Sequence, residues 1–362
     1  MTGYTLYGSE MSYFSGKARA YLRWKGIEFT EIAPSPELMK AEILPHIGWP
    51  VIPVLKTPDA EYIQDTADII AHFEGTSDEN SAMPESPLQK FVTYLIQLFA
   101  DEWMTLPAMH YRWNHNEEWI YGEFGKNAAP DGTPEEQYEA GKAVGSRFKG
   151  FVPMLGITPE TAPGIEKAYE QFLADLSAHL EKLPYLFGTR ASYADFALIG
   201  PLFAHQYRDK FSGEHMKRTA PSVADYVERV LAGDGQDGEL IPLDDIPKTL
   251  LPILRVALTE HLPVLINTNE QFREWAASAE PKSEVPRGVG MSPFTTGGAE
   301  GVIASRTFSL LRLQDALDTY QLMMPSDKRR ANAFLSAVGG DALKTFRIEP
   351  RLTRRNFKLA LA

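Results

Sequence analysis

The stretch Gly48-Trp49-Pro50-Val51-Ile52-Pro53-Val54-Leu55, followed by Gln64-Asp65-Thr66, holds the residues of this chain best suited to binding a peptide. It reads as a strand entered through a proline and then the polar start of a helix. Proline is tolerated at the first residue of a strand because its missing N–H need not join the ladder. An X-Pro bond is also the one kind that takes the cis form at modest cost. A cis Ile52–Pro53 bond would turn the backbone N–H and C=O of Ile52 outward, where an extended peptide can pair with them. Asp65 and Thr66 would then hold a charged end of that peptide. A small peptide ligand is the expectation to be tested against the rest of the chain.

The elements that must position these residues follow in order. Tyr4-Thr5-Leu6-Tyr7 is a β-prone strand, and Gly8 to Gly16 is a loop carrying Ser9, Ser12 and Ser15. Lys17 to Lys25 reads as a helix with Ala18, Tyr21 and Leu22 on one face, closed by Gly26. Ile27 to Ile32 alternates as a second strand. The Ile52–Lys56 strand, a turn at Pro58-Asp59 and a return strand at Glu61-Tyr62-Ile63 come next. Thr66 to Glu74 is a helix with Ile69, Ile70 and Phe73 inward. Asp78 to Pro87 reads as a linker. Beyond it the pattern is helical: Leu88 to Met104, then Gly164 to Leu183 with a stripe through Ile165, Tyr169, Phe172, Leu176, Leu180 and Leu183. Ser192-Tyr193-Ala194-Asp195 is a capping pattern before an apolar run. Gly233 to Gly238 is a second linker. The remainder has helical segments around Leu250–Leu262, Asn269–Ala277, Thr307–Met323 and Ala331–Ala337, separated by a Gly/Ser/Pro-rich stretch from Pro286 to Gly301.

Composition bounds the chemistry. The length of 362 residues suits two or three domains. A net charge of −12 argues against a nucleic-acid binder. The one basic cluster, Lys344 to Lys358, reads as a solvated helix or a tail on an acidic body. With no cysteine there is no disulfide, no thiolate metal site and no cysteine nucleophile. The apolar Leu240–Ile266 region is broken by charges and prolines, so no membrane span is expected, and the N-terminus lacks a signal pattern. A cytoplasmic protein is expected. His110 and His115 are off the i, i+4 spacing that aims two histidines at one metal, so no metal is expected either.

Taken together, these residues resemble the glutathione transferase family. The matching features are the strand-loop-helix around Ser12-Tyr13-Phe14-Ser15 and Arg19, the Ile52-Pro53-Val54-Leu55 strand, Asp65-Thr66 where the family commonly has Glu-Ser, and the capping box at Ser192 to Asp195. The resemblance implies an α/β thioredoxin-like domain over residues 1–77, an all-α domain over 88–232, and a mostly helical C-terminal extension, 239–362, that a typical member lacks. It also implies a glutathione site. Ile52, ahead of Pro53, would pair with the cysteinyl backbone. Asp65 would meet the γ-glutamyl amine and Thr66 its carboxylate, while Pro50-Val51 stands where many members have a lysine or glutamine for the glycyl carboxylate, a role for which Trp49 or His46 would substitute. Ser12 matches the family position that activates the thiol, and Tyr7 and Ser15 are alternatives. Where members with serine here usually have proline next, this chain has Tyr13. The structural alternative for Ser12 is a helix cap, and for Tyr7 a packed core residue.

The helical domain would supply an apolar co-substrate pocket from the aromatic-rich Met104–Phe124 segment, with His110, Tyr111 and Trp113 as candidates; plain core packing is the alternative. The resemblance implies a homodimeric detoxification enzyme whose glutathione thiolate attacks a hydrophobic electrophile. The alternative is a non-catalytic binding or scaffold protein with a vestigial site. In the extension, Phe308, Leu311 and Leu317 need a surface to bury.

Overall fold

The computed structural model describes residues 3–75, 80–242 and 244–362. The end of the first expected domain, and Asp78 and Glu79 of the expected linker, lie outside these residues. The chain packs as two compact units, neither of them a continuous segment. One comprises residues up to Ala82, Pro107–Val152 and Asp195–Gly238; the other comprises Met83–Leu106, Pro153–Ala194 and Glu239–Ala362.

The first unit is built on a four-stranded sheet of order β2-β1-β3-β4. Strand β1 (Tyr4–Tyr7), helix α1 (Tyr13–Trp24) and β2 (Phe29–Ile32) form a parallel crossover, and β3 (Val54–Lys56) and β4 (Tyr62–Gln64) add an antiparallel hairpin. Side chains alternate across the sheet. Leu6 and Leu55 pair on one fully buried face, where the Tyr4 ring also meets Phe73 of the Thr66–Glu74 helix at 5.2 Å. Tyr7, Lys56 and Tyr62 share the other face. Helix α1 starts four residues before the expected Lys17, because Ser12 caps it: its hydroxyl accepts a hydrogen bond from the Ser15 N–H at 3.3 Å. Gly16 is then helical, and its lack of a side chain lets α1 approach Phe203, which a Cβ there would meet at 3.2 Å. Tyr21 and Trp24 of α1 pack against Phe196 at 5.7 and 5.4 Å. Asp195 is fully buried and accepts from the equally buried Tyr226 hydroxyl at 2.9 Å.

In the second unit, the Pro87–Leu98 helix runs into a π-helical turn over Phe99–Trp103. The Thr307–Leu322 helix packs along it, and Tyr320 meets Phe91 at 5.7 Å. Leu311 and Leu317 are buried as their apolar character requires. The run from Lys248 to Ala276 is helical throughout and is long and apolar enough to cross a membrane by length and composition alone. Half of its most apolar window is buried within the protein, and the run packs against the Thr307–Leu322 helix and the Gly288–Thr296 strand among others, which makes it a core element here.

The extension holds strands as well as helices. The Gly/Ser/Pro-rich Pro286–Gly301 stretch is extended. It opens the longest hairpin of the described residues, β5 (Gly288–Thr296) with β6 (Ala299–Arg306), turning on Gly297-Gly298 at φ of +55° and +92°. The inward residues of β5 are Ser292, Phe294 and Thr296, and small polar side chains on the buried face erase the apolar alternation that marks a strand. The basic end is likewise no helix. Leu352–Arg355 (β7) and Lys358–Leu361 (β8) pair antiparallel about Asn356-Phe357, both at positive φ.

The extension is therefore integral to its unit. Leu95, Leu98 and Phe99 gather around one small cavity with Leu258, Leu262, Leu265 and Leu313. Exposing a large apolar side chain costs about 1.5–3 kcal/mol, so baring Leu95, Leu98 and Phe99 together costs an amount comparable with the roughly 5–15 kcal/mol that holds a domain together. A chain ended after Gly238 is expected to aggregate, eluting in the void volume on size exclusion; a monodisperse, helical product would contradict this packing.

Candidate functional site

The Ile52–Pro53 bond is cis. Among the described residues neither the N–H nor the C=O of Ile52 has a hydrogen-bond partner, and the residue is half-buried. A donor and an acceptor on one residue are thus both unused among the described residues. Trp49 is half-buried in the same segment. Asp65 caps the Thr66–Glu74 helix, its Oδ1 accepting from the Ala67 N–H at 2.8 Å. Its backbone stands at φ +86°, ψ 135°, a region that residues with a Cβ rarely occupy. Such strain is held only where the surroundings enforce it, and it concentrates at functional sites. Thr66 is buried behind it. His46, the alternative to Trp49, is stacked on Tyr62 with ring centroids 3.9 Å apart.

The three candidate hydroxyls are placed very differently. Ser15 is fully buried, and its oxygen accepts from the Ser9 N–H at 3.2 Å. Tyr7 is 5% exposed and donates to Glu42 Oε2 at 3.2 Å. Burial, and then the Glu42 charge, push its phenol above the usual tyrosine range. Ser12 is half-buried; its oxygen accepts at the helix cap, and its proton has no acceptor among the described residues.

Glu42 escaped the sequence reading. It sits on the short π-helical turn Met39–Ile43, and its Oε2 also accepts from Lys56 Nζ at 2.9 Å and Tyr62 hydroxyl at 2.7 Å. Three donors from three strands thus converge on one carboxylate oxygen. The bonds from Tyr62 and Lys56 hold the Glu42 carboxyl down at about 2. No local pattern marks such a residue, since its partners lie 14 to 35 positions away.

The aromatic candidates Tyr111, Trp113 and His110 lie on the Thr105–His115 helix and are 3%, 2% and 2% exposed. Tyr111 packs on His115 and Phe211, Trp113 on Tyr121 and Phe124, and His110 Nδ1 meets the Asn114 amide at 2.8 Å. They pack the interior of this unit. Half-buried rings on or against α1 are Phe14, in its first turn, and Phe203, beside Gly16.

Residues 6–81 match the model of the glutathione S-transferase N-terminal domain, and residues 138–229 match that of the glutathione S-transferase C-terminal domain. No curated protein matches the sequence. Among solved structures, the chain is similar to the β-etherase LigF of Sphingobium sp. strain SYK-6, at 21% identity and a TM-score of 0.46 over 64% of this chain and 96% of that one. It is also similar to the glutathione transferase GSTFuA3 of Phanerochaete chrysosporium, at 16% identity and a TM-score of 0.46 over 64% and 97%, and to FzlA of C. crescentus, at 18% and 0.41 over 65% and 90%.

The Glu42 carboxyl ionises at a lower pH folded than unfolded, where its ordinary value is 4.5. Its contribution is therefore complete above pH 4.5 and is lost as pH falls toward 2. The side chain is about a third exposed, and solvent screening limits the effect to about 1 kcal/mol. The stability difference between the wild type and Glu42→Gln, from urea unfolding, is expected to be flat above pH 5 and to shrink below pH 4. A difference that grows on acidification would contradict the network.

Proposed function

Because the chain is a member of the glutathione S-transferase family, with that family's N-terminal and C-terminal domains at residues 6–81 and 138–229, we propose that it is a serine-type glutathione transferase acting on a hydrophobic electrophile. In this reading residues 1–77 bind glutathione, 88–232 supply the helical domain, and 239–362 complete the fold. A cytoplasmic homodimer with a detoxifying role belongs to the same proposal.

Ile52 pairs with the cysteinyl backbone of glutathione through its unused N–H and C=O. The Asp65 carboxylate meets the γ-glutamyl ammonium, and Thr66 with the N–H groups of its helix start meets the adjoining carboxylate. Trp49 flanks the glycyl end. The thiol proton leaves to solvent, and the Ser12 hydroxyl donates a hydrogen bond to the sulfur, which favours the thiolate. The N-terminus of α1 adds its partial positive charge. The thiolate then attacks an electrophilic carbon, forming a C–S bond as a leaving group departs or a double bond opens. Phe14 and Phe203 give the sulfur apolar neighbours, and Tyr111, Trp113 and His110 stiffen the helix behind that wall.

The observation that carries the serine reading is the commitment of the hydroxyls. Tyr7 donates to Glu42 and Ser15 is sealed inside, whereas Ser12 is half-exposed with its proton uncommitted. A hydrogen bond to a charged group is worth about 1.5–3 kcal/mol. Ser12→Ala is therefore expected to lower kcat about tenfold to a hundredfold, and to raise the pKa of bound thiol, read as thiolate absorbance against pH. Tyr7→Phe should leave that titration unmoved. The opposite pattern would transfer the role to Tyr7, and calorimetry showing no binding at millimolar glutathione would favour the non-catalytic alternative.

A further inference from the structure

Ser12 is set by a residue far from it in sequence. Arg112, on the Thr105–His115 helix, has only 4% of its side chain exposed. Its Nε and one terminal nitrogen grip Asp209 at 2.7 and 2.9 Å. That same nitrogen donates to the Ala204 carbonyl at 2.9 Å, and the other donates to the Met11 carbonyl at 2.8 Å. Met11 immediately precedes Ser12. On the far side of Ser12, the Tyr13 ring stands edge-on to His205 at 5.4 Å, in the turn that also provides Ala204. The chain on both sides of the candidate hydroxyl is thus held by helical elements of its own unit. The other ties of the loop from Gly8 to Ser12 are Gly8 N–H to the Ile32 carbonyl, Ser12 N–H to the Ser9 carbonyl, the Ser9 bonds to Met11 and Ser15, and an exposed pair between Glu10 and Arg208 at 3.4 Å.

We propose that Arg112 is a positioning residue for thiol activation, fixing the Ser12 hydroxyl by holding the Met11 carbonyl, with Asp209 fixing Arg112 in turn. This rests on the serine reading above. The guanidinium suits the task because its planar fork reaches a carboxylate and two carbonyls at once. A lysine keeps the charge but cannot span these acceptors, so the Met11 bond is the one most readily released. If the carbonyl swings free, the cap geometry of Ser12 loosens and its donor wanders from the sulfur. Misplacement on the scale of about 1 Å is enough to cost a hundredfold in rate.

The test uses the full chain with Arg112→Lys. Because this variant leaves a buried pair poorly matched and can fail to fold, the double variant Arg112→Gln/Asp209→Asn, which leaves no orphan charge, runs beside it. Two readouts are taken. Amide hydrogen exchange across Gly8–Tyr13, measured without glutathione, is expected to quicken about tenfold or more while the strands of the sheet stay protected. The thiol of bound glutathione is expected to titrate about one unit higher, matching a roughly tenfold lower kcat near neutral pH, with KM for glutathione changed less than twofold. A merely structural role would lower stability without moving the thiol titration. Unchanged exchange in the loop, or unchanged titration beside a wild type that shows a thiolate, overturns the role of Arg112 alone. A wild type with no thiolate signal overturns this proposal together with the serine reading.

Discussion

A guanidinium removed from water sets the terms for the first unit. Desolvating a charge costs several kcal/mol, and only a complete set of partners offsets it. Arg112 finds that set in a carboxylate and two backbone carbonyls. The carboxylate, Asp209, is almost completely buried too, and burial pulls its acid strength down against the pull of the arginine. Neither member has a good alternative elsewhere, so the segments that supply the acceptors are fixed by the same constraint. One is the turn that ends near Tyr207; another is the loop that leads into α1.

A second convergence works on the other face of the sheet. Tyr7, Lys56 and Tyr62 are brought into line by strand register, and Glu42 closes over them. The register commits the Tyr7 hydroxyl to a charged network, in which it donates to Glu42. The two arrangements divide the labour of a small domain. One stabilises the sheet face, and the other holds the helix start where the Ser12 hydroxyl has no acceptor among the described residues.

The parts of this fold that were legible in the sequence are those whose signals are local. The Tyr4–Tyr7 strand, the Thr66–Glu74 helix and the Ile52-Pro53 step carry their patterns within a few residues. The helix start at Asp65-Thr66 was readable for the same reason. The surroundings of Ser12, Tyr7 and Ser15 were not, because they depend on Glu42 and on the burial of Ser15, through contacts distant in sequence. Arg112 was invisible for a related reason: an arginine among aromatics on an amphipathic helix looks like a surface residue until its carboxylate is found. In the extension, β5 hid behind Ser292 and Thr296, whose polarity conceals a buried face.

Asp65 carries an implication of another kind. Its backbone lies where glycine rests comfortably and an aspartate is held against a cost of about 1–3 kcal/mol. Glycine would relieve that cost but would remove the carboxylate proposed to greet the ligand's amine. Stability and recognition are therefore opposed at a single position. An acidic side chain on so unfavourable a backbone makes this position a gauge of the proposed site: what Asp65→Gly gains in folding it would give up in binding.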